Sequence, residues 1–136
     1  EYAMRHRRND TKLGRTTAHR KATMSALVCS LIREKRIKTT VTKAKEARKL
    51  AERMITVARQ GTLSARRKAA SELGRASAVT VLFDELVPQF EGRAGGYTRV
   101  LKLGRRSSDG SEMALLEWVG VAIPDKTRAP KSEEPA

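Results

Sequence analysis

Charge is spread so unevenly along this chain that it restricts how the chain can pack. Residues 1–60 carry 17 Lys/Arg against 5 Asp/Glu and residues 61–136 carry 12 against 10, so nearly all of the formal net charge of +14 lies in the first half. Cations at that density repel one another unless a polyanion relieves them, which puts a polyanionic partner against the N-terminal half. The apolar supply is thin to match: 39% hydrophobic residues with only two Phe, two Tyr and one Trp, beside 32% charged residues. At 136 residues the chain is one domain by length and buries roughly two thirds of the surface its unfolded form exposes. Its core is therefore modest, and partner contacts contribute to the final conformation.

The composition also excludes several classes. Cys29 has no partner for an internal disulfide, and with only His6 and His19 beside it no four-ligand Cys/His metal site can be assembled. A protein of a reducing compartment, without structural metal, is expected. No apolar run approaches the roughly eighteen residues of a membrane span, and Glu1-Tyr2-Ala3-Met4-Arg5 lacks an apolar signal segment, so a soluble chain is expected. Met4 before Arg5-His6-Arg7-Arg8 reads as a natural initiator, which leaves residues 1–3 as an upstream extension, an artificial addition or the remnant of a processed leader.

Hydrophobic periodicity organises the rest. Residues 4–15 offer only Met4 and Leu13 to a core and are broken by Asn9-Asp10 and Gly14, the pattern of an extended basic arm that orders on something else. With Thr16 or Thr17 as N-cap, Met24, Leu27, Val28, Leu31 and Ile32 keep helical spacing and predict a first helix over residues 17–34. Ile37-Lys38-Thr39-Thr40-Val41 alternates as a short, one-sided strand does. With Thr42 as cap, a second helix over residues 43–60 turns Ala44, Ala47, Ala51, Met54, Ile55 and Ala58 to one side. Lys45, Lys49 and Arg53 fall opposite, flanked by Arg48 and Arg59, and Gly61 is placed to end the helix. Leu63 to Leu73 predicts a shorter helix that begins near Ser64 and stops at Gly74. Val79, Leu82, Phe83, Leu86, Val87 and Phe90 predict a fourth, capped by Ser77 and ending near Pro88. Two strands follow, Tyr97–Leu103 and Met113–Val121, joined by an exposed loop, with Ala114, Leu116 and Trp118 expected to face the helices. The predicted fold is a two-layer α+β helix/sheet domain in the order helix, strand, three helices, two strands. It occupies residues 16–123, between the basic arm at 1–15 and a disordered, proline-rich tail at 124–136.

Three basic elements are candidates for phosphate contact. They are the arm with Arg5, Arg7, Arg8, Lys12 and Arg15, the helix start His19-Arg20-Lys21, and the stretch from Arg36 and Lys38 through Lys43, Lys45, Arg48 and Lys49. Arg66-Arg67-Lys68 and the run Arg93, Arg99, Lys102, Arg105 and Arg106 extend the basic surface. One cationic helix face alone is more often solvated surface, but an arm, a helix end and a stripe together favour binding. In Gly95-Gly96-Tyr97-Thr98-Arg99 the glycines either admit a phosphate close to the backbone or make a flexible entry to a strand, and both readings stand. A Gly-interrupted arm on a small domain suits folded RNA better than helix-in-groove reading of DNA. Tyr97 is the only aromatic residue in a basic neighbourhood, too little for a stacking platform. His6 and His19 have no evident carboxylate partner, Cys29 flanks an apolar helix face, and Glu34, Glu46 and Glu52 are expected to be ion-paired or helix-start charges, so no catalytic site is visible. Neither a cofactor nor a small-molecule substrate is called for.

Met4-Arg5-His6-Arg7-Arg8; Ser30-Leu31-Ile32 through Arg36-Ile37-Lys38-Thr39-Thr40 and Lys43-Ala44-Lys45-Glu46-Ala47-Arg48; and Gly95-Gly96-Tyr97-Thr98-Arg99-Val100 with Met113-Ala114 and Glu117 together resemble the bacterial-type large-subunit ribosomal protein L17 family. The resemblance covers residues 4–119 in the expected order. It implies a structural constituent of the large ribosomal subunit, bound to 23S-type rRNA near the polypeptide exit tunnel with other large-subunit ribosomal proteins beside it. The location implied is the cytoplasm, or an organellar ribosome if residues 1–3 are a leader remnant. It also implies a two-layer α+β fold, and RNA contacts at Arg5, His6, Arg7, Arg8, His19, Arg20, Lys38, Thr39, Thr40, Lys43, Lys45, Gly95, Gly96, Tyr97 and Arg99. Two departures bear on packing. Lys35 stands where the family often has glycine, so the first helix is expected to end without a left-handed cap or to run farther. Leu115 and Trp118 replace what is more often a tyrosine and a smaller aliphatic residue. The alternative reading is a nucleoid-type or regulatory DNA-binding protein, which shares the charge but needs a dimer interface and an element aimed at a groove.

Overall fold

The first helix starts where the chain first offers a side-chain cap. The N–H of His19 donates to Thr16 Oγ1 at 3.3 Å, and α1 runs Thr17–Glu34 in the computed structural model, which describes residues 11–124. Arg5, His6, Arg7 and Arg8, and the tail from residue 125 onward, lie outside the described residues. Two residues assigned to the arm are held by the helices: Leu13 packs against the core, and Arg15 donates to Thr23 Oγ1 at 2.8 Å.

Helix α1 ends by a left-handed residue after all. Lys35 adopts φ 67° and its N–H donates to the Leu31 carbonyl at 2.8 Å. A side chain in that conformation costs about 1–2 kcal/mol. The offset lies in its ammonium, which donates to the Ile32 carbonyl at 2.8 Å and reaches Glu85 at 3.3 Å while the residue is only 7% exposed.

Strand β1 occupies Arg36–Thr40 and α2 follows at once over Val41–Ala58. Val41 therefore belongs to the helix and not to the strand, and Thr40, not Thr42, takes the cap position, because the buried Val41 side chain joins the core from the first turn. The alanine face is buried as predicted: Ala44, Ala47, Ala51 and Ala58 are each at most 1% exposed and let neighbouring elements approach closely. Gly61 turns the chain left-handed after Arg59 and Gln60. Helix α3 spans Leu63–Leu73 as predicted; Thr62 caps it, accepting from the Ala65 N–H at 3.1 Å, and Gly74 closes it with φ 68°.

Helix α4 runs Ala76–Val81, passes through a π-type turn over Leu82–Leu86 and finishes in Val87–Gln89. It starts from Arg75 and not Ser77, without a side-chain cap. In the wide turn the Val87 N–H donates to the Leu82 carbonyl, next to Pro88, which has no N–H to give. An ideal α-helix would rotate residues four apart progressively off one line. Here Leu82, Leu86 and Phe90 all face the core at 2% exposure or less.

Strands β2 (Thr98–Arg105) and β3 (Glu112–Trp118) pair antiparallel, and β1 adds antiparallel to the other edge of β3, giving the order β1-β3-β2. Among the described residues, four helices and three strands thus form the predicted α+β order. Ala114, Leu116 and Trp118 face the helices as expected, joined by Ile37 and Val100. Trp118 is 1% exposed and its indole N–H donates to the Leu31 carbonyl at 3.1 Å; Phe90 packs against it at 5.9 Å, and Tyr97 meets Phe90 edge-on at 5.2 Å. The larger residue at this position fills the seam between sheet and helices. None of the described helices is long and apolar enough to cross a membrane.

The left-handed end of α1 gives a direct test. Lys35→Gly relieves the backbone but loses the ammonium bonds and should shift stability by under about 1 kcal/mol, whereas Lys35→Ala keeps the strain, loses the bonds and should cost about 1–2 kcal/mol. Urea unfolding of both variants checks the order; an alanine variant as stable as the glycine variant would mean that Lys35 bears no strain.

Candidate nucleic-acid interface

Two helix ends and the α2 stripe converge on one groove. Arg20 and Lys21 from α1, Lys49 and Arg53 from α2, and Arg75 after α3 line an open depression of about 900 Å3, with Leu13, Met24, Leu50 and Leu73 as its apolar part. The acids within it are Glu46 and Glu72, and they answer cations already present: Lys49 lies 2.7 Å from Glu46 and Arg53 3.7 Å from Glu72. The groove keeps an excess of positive charge. Its walls are held by Ser25 Oγ, which donates to the Glu72 carbonyl at 2.7 Å, and by the Cys29 thiol, which donates to the Leu73 carbonyl at 3.4 Å. Burial pushes the Cys29 thiol up, partly opposed by nearby Arg75, which suits packing and not nucleophilic attack.

A second depression of about 540 Å3 lies where the arm's end, α2 and β3 meet, lined by Thr11, Thr40, Val41, Thr42, Lys45, Glu46, Ser111 and Glu112. Thr40 and Lys45 are thus brought together, with Thr39 and Lys43 half-buried near the start of α2, Lys38 exposed on β1, and Lys12 and His19 exposed at the N-terminal side. Arg48 sits 3.3 Å from Glu52, whose carboxylate also accepts from Thr98 Oγ1 at 2.9 Å and so ties the stripe to β2. Glu34, Glu46 and Glu52 are all ion-paired, as the sequence suggested.

The Gly-Gly-Tyr-Thr-Arg segment is built around a buried hydroxyl. Tyr97 is 3% exposed; its hydroxyl donates to the Arg93 carbonyl at 3.1 Å and accepts from Arg59 Nη1 at 2.7 Å, and the same guanidinium donates to the Arg93 carbonyl at 2.6 Å. Tyr97 therefore offers no open ring face and acts as the anchor of the loop. Gly95 and Gly96 are exposed in front of it, and Gly96 has φ 62°, a conformation that side chains rarely adopt.

Antiparallel register creates the third feature. Arg36 on β1 and Arg99 on β2 both lie opposite Glu117 on β3. Arg36 Nη2 reaches Glu117 at 2.6 Å and Arg99 Nε donates to the other carboxylate oxygen. Burial would raise the Glu117 carboxyl, but the hydrogen bonds from Arg36 and Arg99 outweigh it and hold the group below its ordinary value.

Other predicted cations are engaged within the chain. Arg66 lies over the Phe83 ring at 4.7 Å and 3.9 Å from Asp84, while Arg106 grips Asp109 with bonds of 2.9 and 2.6 Å and, with the Ser111 N–H, holds that carboxyl well below the usual carboxylate range. Arg67, Arg93, Lys102 and Arg105 are exposed. Four contributors escaped the sequence assignment. Arg53 was visible in the α2 stripe but not singled out, Arg75 stands alone after a glycine, and Arg59 and Glu117 take their roles from partners 18 to 81 residues away.

A sequence model of the family described as ribosomal protein L17 matches residues 23–119. Large ribosomal subunit protein bL17 of Methylacidiphilum infernorum is 47% identical over 131 residues, covering 96% of this chain and 100% of that protein. The protein of the same name from Finegoldia magna is 50% identical over 126 residues, 93% of this chain and 92% of its own, and that of Chlorobaculum parvum is 52% identical over 111 residues, 82% and 72% respectively.

The depressed Glu117 carboxyl makes stability depend on acid. Its ionised form contributes stability that is fully present above the ordinary value of 4.5 and is lost as pH falls through the lower folded value. Thermal unfolding midpoints should therefore drop below pH 4.5 in the native chain, and Glu117→Gln should flatten that drop; an unchanged acid limb would show that the carboxylate is not held by the two arginines.

Proposed function

We propose that this chain, which belongs to the ribosomal protein L17 family, is a structural constituent of the large ribosomal subunit that binds 23S-type rRNA near the polypeptide exit tunnel and stabilises its folded form. The observation that carries the reading is near-full-length identity to relatives whose names place them in the large ribosomal subunit. The role is structural and not catalytic, and it is exercised in the cytoplasm on the ribosome, with neighbouring large-subunit proteins as further partners. The geometry supports RNA as the polyanion. Cations from α1, α2 and the α3 end line one groove, Thr40 and Lys45 a second, and the charge surplus of the first half is thereby turned outward on a surface whose opposite side is alanine-rich core. Arg5, Arg7 and Arg8 contribute further phosphate contacts, and the described end of their segment is fixed to the domain by Leu13 and Arg15.

Such binding is dominated by counterion release, so about six phosphate contacts should cost roughly a thousandfold in affinity between low and moderate salt. Removing residues 5–10, or replacing Lys49 and Arg53 together by alanine, should lower the log–log salt slope by about one per lost cation while leaving helicity intact. Titration with large-subunit rRNA fragments and co-sedimentation with 50S particles are the measurements. Duplex DNA competing as well as folded rRNA would overturn the assignment in favour of a DNA-binding protein.

A further inference from the structure

Glu117 is a carboxylate on the sheet face that looks away from the apolar core, yet it is only 1% exposed. It is covered by the guanidinium groups of Arg36 and Arg99, placed on either side by the strand register and themselves 39% and 55% exposed in their side chains. If net positive charge were all this face needed, an acid at its centre would be counterproductive, because it cancels one of the two cations. Stability alone does not call for an ionic cluster either, since apolar residues of similar volume commonly replace a buried one without loss. What the carboxylate does provide is geometry. It engages the Nε side of each guanidinium and leaves the remaining donors of both planar forks, which no other acceptor among the described residues engages, at a set spacing on an open surface. The next row of the same face holds Lys38, Leu115 and Leu101: one more cation, and aliphatic surface on which a ribose can rest.

We propose that Arg36 and Arg99 form a two-arginine clamp for the rRNA backbone on the outer face of the sheet, and that Glu117 is the positioning residue that orients both. The proposal rests on the RNA-binding reading and extends it to a face opposite the helices. Charge complementarity selects RNA as the occupant: the cluster carries one net positive charge, Lys38 adds another, and its only acid is already covered.

The test exploits a difference in sign. Glu117→Gln in the full chain adds one positive charge, so undirected electrostatics predicts equal or tighter binding to large-subunit rRNA fragments. The clamp predicts about fivefold to tenfold weaker binding, with circular dichroism unchanged at neutral pH. Arg36→Lys with Arg99→Lys keeps the charge, removes the planar forks and should give a similar loss; this pair decides the question if the glutamine variant fails to fold. The Lys49→Ala, Arg53→Ala variant is the control. If it weakens binding while Glu117→Gln and the lysine pair bind as the native chain does, the clamp is overturned and the RNA reading stands. If none of them matters, the RNA reading falls with it. If the Glu117 variant binds rRNA fragments normally but no longer enters subunits, the sheet face meets a protein, which also overturns the clamp.

Discussion

The hydrogen bond from the Trp118 indole to the Leu31 carbonyl joins the two layers at the point from which the rest of the architecture is laid out. Leu31 already accepts the Lys35 N–H that ends α1, and the Lys35 carbonyl in turn accepts the Trp118 backbone N–H at 3.3 Å. One left-handed residue is thus gripped from both sides by the central strand. Its turn launches β1, and the place where β1 begins determines that Arg36 and no other residue lies opposite Glu117. A slip of one residue would turn the arginine into the core and an isoleucine to solvent. The strained lysine is therefore the origin of the sheet register, and the bonds of its buried ammonium to the Ile32 carbonyl and to the exposed Glu85 are what let a non-glycine residue occupy it.

Charge and core share the same elements without conflict because the buried side of α2 is built from small residues. Alanines let the helix sit close to its neighbours, so a modest apolar supply suffices and the outward side remains free for lysine and arginine. The acids are placed to orient cations more than to silence them: Glu46, Glu52, Glu72 and Glu117 each hold a basic side chain that keeps exposed donors.

Much of this was legible in the sequence. Helical spacing located α1, α2 and the apolar fourth helix, and alternation located the side of β3 that faces the helices. The boundaries went astray where short-range polar signals compete. Thr42 and Ser77 each looked like a cap, but Val41 was drawn into the helix by burial, and α4 began without a side-chain cap at all. The π-type turn beside Pro88 leaves the spacing of apolar residues almost unchanged, so periodicity could not reveal it. The basic groove and the Arg36–Glu117–Arg99 ladder were illegible for a different reason: they join segments far apart in the chain, and only the pairing of the first strand with the last brings them into contact. The burial of Tyr97 was illegible for the same reason, since Phe90 and Arg59, which draw it inward, lie on other elements.

The last strand among the described residues lies in the middle of the sheet. Neither β1 nor β2 has another strand to pair with until residues 112–118 have been made, and the helices have no second layer to close against before Trp118 arrives. During synthesis the basic half therefore emerges well ahead of the strand that completes the core. Until the second half has been translated, the strand that joins the two layers is missing, so the interior closes only once Trp118 has been made.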